Sequence, residues 1–240
     1  AQAGKLTATQ LAAFSTAQIR ALETQDFQQI TGDQLMGITT DGIKALTADH
    51  LTALSTAQVS QLTTAQVNAL SASQLQAITT ASLTKLTDTQ IQAISTAGVK
   101  GLLADQVSSL TSTQLAALTT LQVGALTASQ VESLTSAQIS KLTDAQMTAM
   151  SSTQIKAIET VDFAQLTASQ LQAISTANVS KLTADQLVAL TTAQVSKLSE
   201  SQVGALTASQ AQAIQTADLA QMTASQVAAF STAAVKGLLV

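Results

Sequence analysis

The chain has 240 residues, a net charge of −4, a single His, and no Cys, Pro, Trp or Tyr. That inventory excludes a disulfide framework, a thiolate zinc centre, a Cys nucleophile and a multi-His metal site, and the acidic balance argues against nucleic acid as a partner. Hydrophobic residues make up 46 % of the chain, which excludes a high-charge disordered polymer, yet no apolar run reaches the ~18 residues of a membrane span.

From Leu6 onward an apolar residue recurs every eighth position, through Phe14, Leu22, Ile30 and Ile38, as far as Leu238. A second apolar series lies five residues further on, from Leu11 and Ile19 to Val235, with Ala211 its one weak member. The unit is Leu-Thr-x-x-Gln-φ-x-Ala, where φ is Val, Leu or Ile, and about thirty copies follow without insertion or deletion. The four Phe (14, 27, 163 and 230) all fall on the two apolar places.

A continuous helix does not fit, because eight residues advance about 800° and the apolar stripe would rotate about 80° per unit. A strand does not fit either, because apolar places five and three apart cannot hold one face at period two. A repeatedly broken helix accounts for each place. Thr or Ser at the second place is an N-cap, and Gln three residues later completes a capping box, as in Thr7-x-x-Gln10, Ser55-x-x-Gln58 and Thr127-x-x-Gln130. The Leu before the cap and the φ residue four after it are the two ends of a hydrophobic staple. Each helix is then about five or six residues, too short to stand alone in water, so it must stack on neighbours. The sequence predicts an all-α fold: a tightly wound α-solenoid of very short helices, one per octad, forming one continuous array over residues 1–240.

The charges agree with this. All ten Lys and Arg occupy the seventh or eighth place. Thirteen of the fourteen acids occupy places two to five, with Glu132 the exception, as the helix dipole favours. Small residues at the third, fourth and eighth places let short helices approach closely.

Along the chain the capping Gln is replaced at Asp26, Gly42, His50, Ser82, Gly98, Asp162, Asn178, Asp218 and Ala234. Asp26, Ser82, Asp162 and Asp218 are spaced 56, 80 and 56, and so are Gly42, Gly98, Asn178 and Ala234. The sum is a period of 136 residues, or seventeen octads. Either a block was duplicated, or marked octads stack on one face of a solenoid with about 3.4 or about 2.4 octads per turn. On the second reading Glu23, Asp26, Ser82, Glu159, Asp162, Gln215 and Asp218 form a candidate lateral-contact face. The pairs Glu23/Asp26 and Glu159/Asp162 read as acidic capping boxes in preference to calcium ligands, since calcium needs six or more oxygens. His50 reads as a substituted cap. Asn178-Val179-Ser180 is a formal glycosylation sequon. No catalytic residue, metal site or cofactor is expected.

The unbroken Leu-Thr-x-x-Gln-φ-x-Ala octads resemble the octapeptide arrays of very large surface or secreted proteins of Gram-negative bacteria, often taken to be adhesin-like. The resemblance spans the whole chain and implies an extracellular or cell-surface fibre or filament, or else a spacer stalk or protein-binding face of a large adhesin. It carries over no catalytic residue. The partners expected are further copies of the chain, end to end or side by side, with surface proteins as alternatives. The ends fall in mid-octad, which points to a window of a longer array.

Overall fold

The structure, a computed structural model, describes residues 3–238. Among these the fold is all helical: 29 α-helices of four to seven residues, preceded by one 3-10 turn at Ala3–Lys5. The expected mid-octad ends at Ala1, Gln2, Leu239 and Val240 lie outside the described residues. The chain forms two compact units, Ala1–Ala125 and Leu126–Val240. The division falls between two octads, and the sequence period runs through it without insertion.

The helix Thr64–Ala69 shows how one octad folds. Thr63, with φ −69° and ψ 158°, is its N-cap. The Thr63 hydroxyl accepts from the Gln66 backbone N–H at 3.1 Å, and the Gln66 side-chain oxygen accepts from the Thr63 N–H at 2.9 Å. Two of the four N–H groups left over at a helix start are thereby satisfied. The helix ends at Leu70, whose extended backbone donates to the Val67 carbonyl, and the next residue, Ser71, is already the next N-cap. One leucine therefore closes one helix and opens another. This is why no helix grows beyond two turns.

Val67 and Leu70 are buried at 0 % and 3 % exposure, and the same two places form the core of each unit. Phe27 and Phe163 fill the φ place at 0 % exposure, Phe230 is buried and Phe14 is half-buried. Ala211, the weak member in the sequence, is also fully buried.

Within each unit a helix packs on the third helix before and after it. Thr64–Ala69 lies against Asp88–Ala93, and Asp144–Ala149 lies against Ala168–Ala173. Side-chain bonds between successive turns span 25 to 31 residues. One turn therefore takes between three and four octads, which excludes a winding of 2.4. The small residues do what their size suggests. A Cβ added to Gly101 would stand 2.3 Å from the Ala72 Cβ one turn earlier, and one on Gly37 would stand 2.5 Å from the Ala8 carbonyl oxygen.

Candidate functional site

The repeated chemical feature of both units is the glutamine at the third position of most helices. Its oxygen is committed to its own N-cap. Its Nε2 donates to backbone carbonyls one turn earlier. Gln66 donates to Leu35 and Ile38, each at 2.8 Å, and Gln74 donates to Ile43 at 2.7 Å and Leu46 at 2.9 Å. In the second unit Gln170 reaches Ile139 at 2.9 Å and Leu142 at 2.7 Å, and Gln202 reaches Leu171 and Ile174 at 2.8 Å. These side chains are buried at 7 % exposure or less. One carbonyl of each pair, such as Leu35, also accepts from the backbone N–H of the linking residue (Ile38, 3.1 Å), and the other, such as Ile38, belongs to that linking residue itself. One side chain thus serves a helix start on its own turn and a helix end on the turn before.

This explains a feature that the capping motif alone does not. Glu is an equally good capping-box residue and suits the helix dipole better. No octad has Glu in this place, and twenty have Gln. The Gln amide offers an acceptor and a donor together, which a carboxylate does not. The absence of Glu was the sequence signal for the inter-turn bond.

His50 keeps both functions. Its Nδ1 accepts from the Thr47 N–H at 3.3 Å, and its Nε2 lies 2.9 Å from the Leu22 carbonyl, 28 residues back. These partners require the neutral Nε2–H tautomer. The ring stacks on Phe27 with centroids 4.5 Å apart. His50 is a substituted cap, as the sequence suggests. Asn178 keeps the inter-turn half: its Nδ2 donates to Met150 at 2.8 Å. That amide is buried and engaged, so the formal sequon is not presented to a glycosylating enzyme.

Gly42 and Gly98 keep neither. A Cβ on Gly42 would stand 2.7 Å from Ile38 Cγ2, and one on Gly98 would stand 2.7 Å from Leu75 Cδ1 and 3.0 Å from Ile94 Cγ2. The branched methyl four residues earlier crowds the space of the missing stem, at Gly98 together with a leucine methyl one turn away. The sequence carries this coupling throughout. Seven octads begin with Ile, and six of them (at 38, 78, 94, 158, 174 and 214) lack the capping Gln.

The candidate lateral-contact residues divide by burial. Ser82, Asp162 and Asp218 are buried at 2 %, 4 % and 4 % exposure, because they stand in the inward-facing place of the glutamine. Asp26 is half-buried and accepts from the Glu23 N–H at 3.2 Å. Asp162 accepts from the Ser136 hydroxyl. Glu23, Glu159 and Gln215 are exposed, so only these three offer a full side chain to a neighbour. Asp26 and Ser82 in the first unit, and Asp162 and Asp218 in the second, stand 56 residues, or seven octads, apart in the sequence. Among the described residues, no three His, Asp or Glu cluster where they could hold a metal ion, and no helix is long and apolar enough to cross a membrane.

The model of the ALTTAQ repeat family matches residues 19–56 and 155–192, together under a third of the chain. The two matched segments lie 136 residues apart, the same step as the higher-order period, one in each compact unit. The chain is thus similar to ALTTAQ repeats over these two stretches. No curated protein matches it.

Proposed function

We propose that the chain is a structural segment: a stack of octads that builds a fibre or filament outside a bacterial cell and performs no catalysis. The observation that carries this reading is the two-way glutamine. Most octads present the same donor to the turn before and the same carbonyls to the turn after, so turns add without a change of design. The resemblance to bacterial surface arrays supports an extracellular or cell-surface setting. Self-association with further copies, side by side or end to end, is part of the proposal.

The test is to lengthen and shorten the chain by whole turns of octads and image the particles by electron microscopy. A structural stack gains a constant increment in its long dimension for each turn added. Particles that thicken or stay the same length as octads are added would overturn the reading.

A further inference from the structure

The two apolar places of the octad are covered from opposite directions. Every first-place residue from Ile30 to Phe230 is buried, while Leu6, Phe14 and Leu22 of the first turn are half-buried and line an open bowl. Every φ residue from Leu11 to Ala211 is buried, while in the last described turn Leu219 is half-buried and Val227 and Val235 are 46 % and 41 % exposed. Each turn therefore has its first-place residues covered by the turn before, and itself covers the φ residues of that turn. One end face lacks the first kind of cover and the other lacks the second.

The polar groups divide in the same way. Gln10 and Gln18 are the exposed members of the glutamine row. Their side-chain oxygens accept from the N–H groups of Thr7 and Ser15, at 2.7 and 2.8 Å, and their Nε2 groups reach no carbonyl among the described residues. At the other end the carbonyls of Leu219, Met222, Val227 and Phe230 stand in the places that meet glutamine amides elsewhere in the stack, as Val179 and Leu182 meet Gln210. No described side chain donates to these four.

We propose that the first-turn face of one copy docks on the last-turn face of a second copy, head to tail. In the register that continues the winding, Gln10 donates to Leu219 and Met222 of the second copy, and Gln18 to Val227 and Phe230. These are the bonds that Gln66 makes to Leu35 and Ile38 within the chain. Leu6, Phe14 and Leu22 cover the open φ residues, so apolar surface left in water on both faces is removed together. The junction is the inter-turn interface made between two molecules. Like faces do not match, because two first-turn faces bring donors to donors and two last-turn faces bring carbonyls to carbonyls. A head-to-tail contact leaves one open face of each kind on the product, so assembly continues past the dimer. This inference rests on the self-associating reading above and names its end-to-end interface.

The experiment is sedimentation of the 240-residue chain over a concentration series, with two variants that each close one face. Gln10→Glu with Gln18→Glu sets carboxylates where amide donors are needed, and Val227→Glu with Val235→Glu sets charge on the opposite face. All four positions are exposed, so helicity by circular dichroism should be unchanged. The parent should grow beyond dimers as concentration rises, and each variant alone should associate at least about tenfold more weakly. An equimolar mixture of the two variants keeps one intact junction and should stop at a mixed dimer. The register is read from single cysteines in this cysteine-free chain. Ala13 should lie over Ala224 of the second copy as Gly101 lies over Ala72, so air oxidation should join an Ala13→Cys chain to an Ala224→Cys chain and neither to itself. Either Glu variant associating like the parent, or a mixture that stays monomeric, would overturn the head-to-tail contact. Association without the mixed disulfide would overturn the register. A parent that is monomeric at every concentration would overturn the docking, while the length-scaling test still decides the structural reading.

Discussion

Gln66 donates its Nε2–H to the carbonyl of Ile38 at 2.8 Å, 28 residues earlier in the chain, while its oxygen accepts from Thr63 at 2.9 Å. That pair of bonds couples secondary to tertiary structure within one side chain. A helix start that needs a cap and a helix end that needs donors are satisfied by one residue type. A tertiary contact is thus written into a local motif, which is how a short repeat can specify a winding.

Gln66→Glu separates the two functions. The carboxylate still caps Thr63, but it replaces a donor with a charge facing two buried carbonyls. The expected cost is about 3 kcal/mol or more, read as a lower urea midpoint. Gln10→Glu is the control, because Gln10 is exposed and bonds to its own cap, Thr7; it should change stability by under about 0.5 kcal/mol.

His50→Gln restores the usual side chain at a site whose partners, the Thr47 N–H and the Leu22 carbonyl, are already in place. It should stay within about 1 kcal/mol of the parent, since the amide takes over both ring bonds and only the stacking on Phe27 is lost. His50→Leu leaves a buried donor and a buried acceptor without partners and should cost about 1–3 kcal/mol. Thermal unfolding followed by circular dichroism ranks the three chains.

Gly98→Gln brings a Cβ within 2.7 Å of Leu75 Cδ1 and 3.0 Å of Ile94 Cγ2 and should destabilise by about 1–3 kcal/mol, despite restoring the consensus residue. Adding Ile94→Leu removes the second of these contacts. The double variant should recover part of the loss, a positive coupling in a double-mutant cycle measured by urea unfolding. Equal losses in single and double variants would show that the Ile and the short residue are not matched by volume.

Gly101→Ala sets a methyl against Ala72, whose Cβ would lie 2.3 Å away. Destabilisation of about 1–3 kcal/mol is expected, and Ala72→Gly in the same chain should relieve part of it. Recovery in the pair would locate the close approach between successive turns.

Much of this architecture was legible in the sequence because every local signal pointed one way. The capping box, the staple and the sorting of charge all marked short helices, and the fold follows. The winding was not legible, since 3.4 and 2.4 octads per turn satisfy the same spacings; the bonds from Gln66 to Leu35 and Ile38, 31 and 28 residues back, exclude 2.4. The candidate face was read only in part. Replaced residues such as Ser82 and Asp218 looked like surface markers, yet the glutamine place they fill points inward. Its inward direction follows from the amide donor, and the missing Glu was the clue to that donor.

The most direct test of the central claim is a set of distances from one site to the same place in successive octads. Asn68, Gln76, Thr84 and Gln92 all occupy the seventh place, and the first unit has no native Cys to interfere. Spin labels paired at 68/76, 68/84 and 68/92 would be compared by pulsed electron resonance. Asn68 donates to the Ala93 carbonyl at 2.9 Å, so the three-octad pair 68/92 should be the shortest of the three. A shorter distance for the two-octad pair 68/84 would contradict a turn of between three and four octads, and with it the inter-turn role of the glutamines.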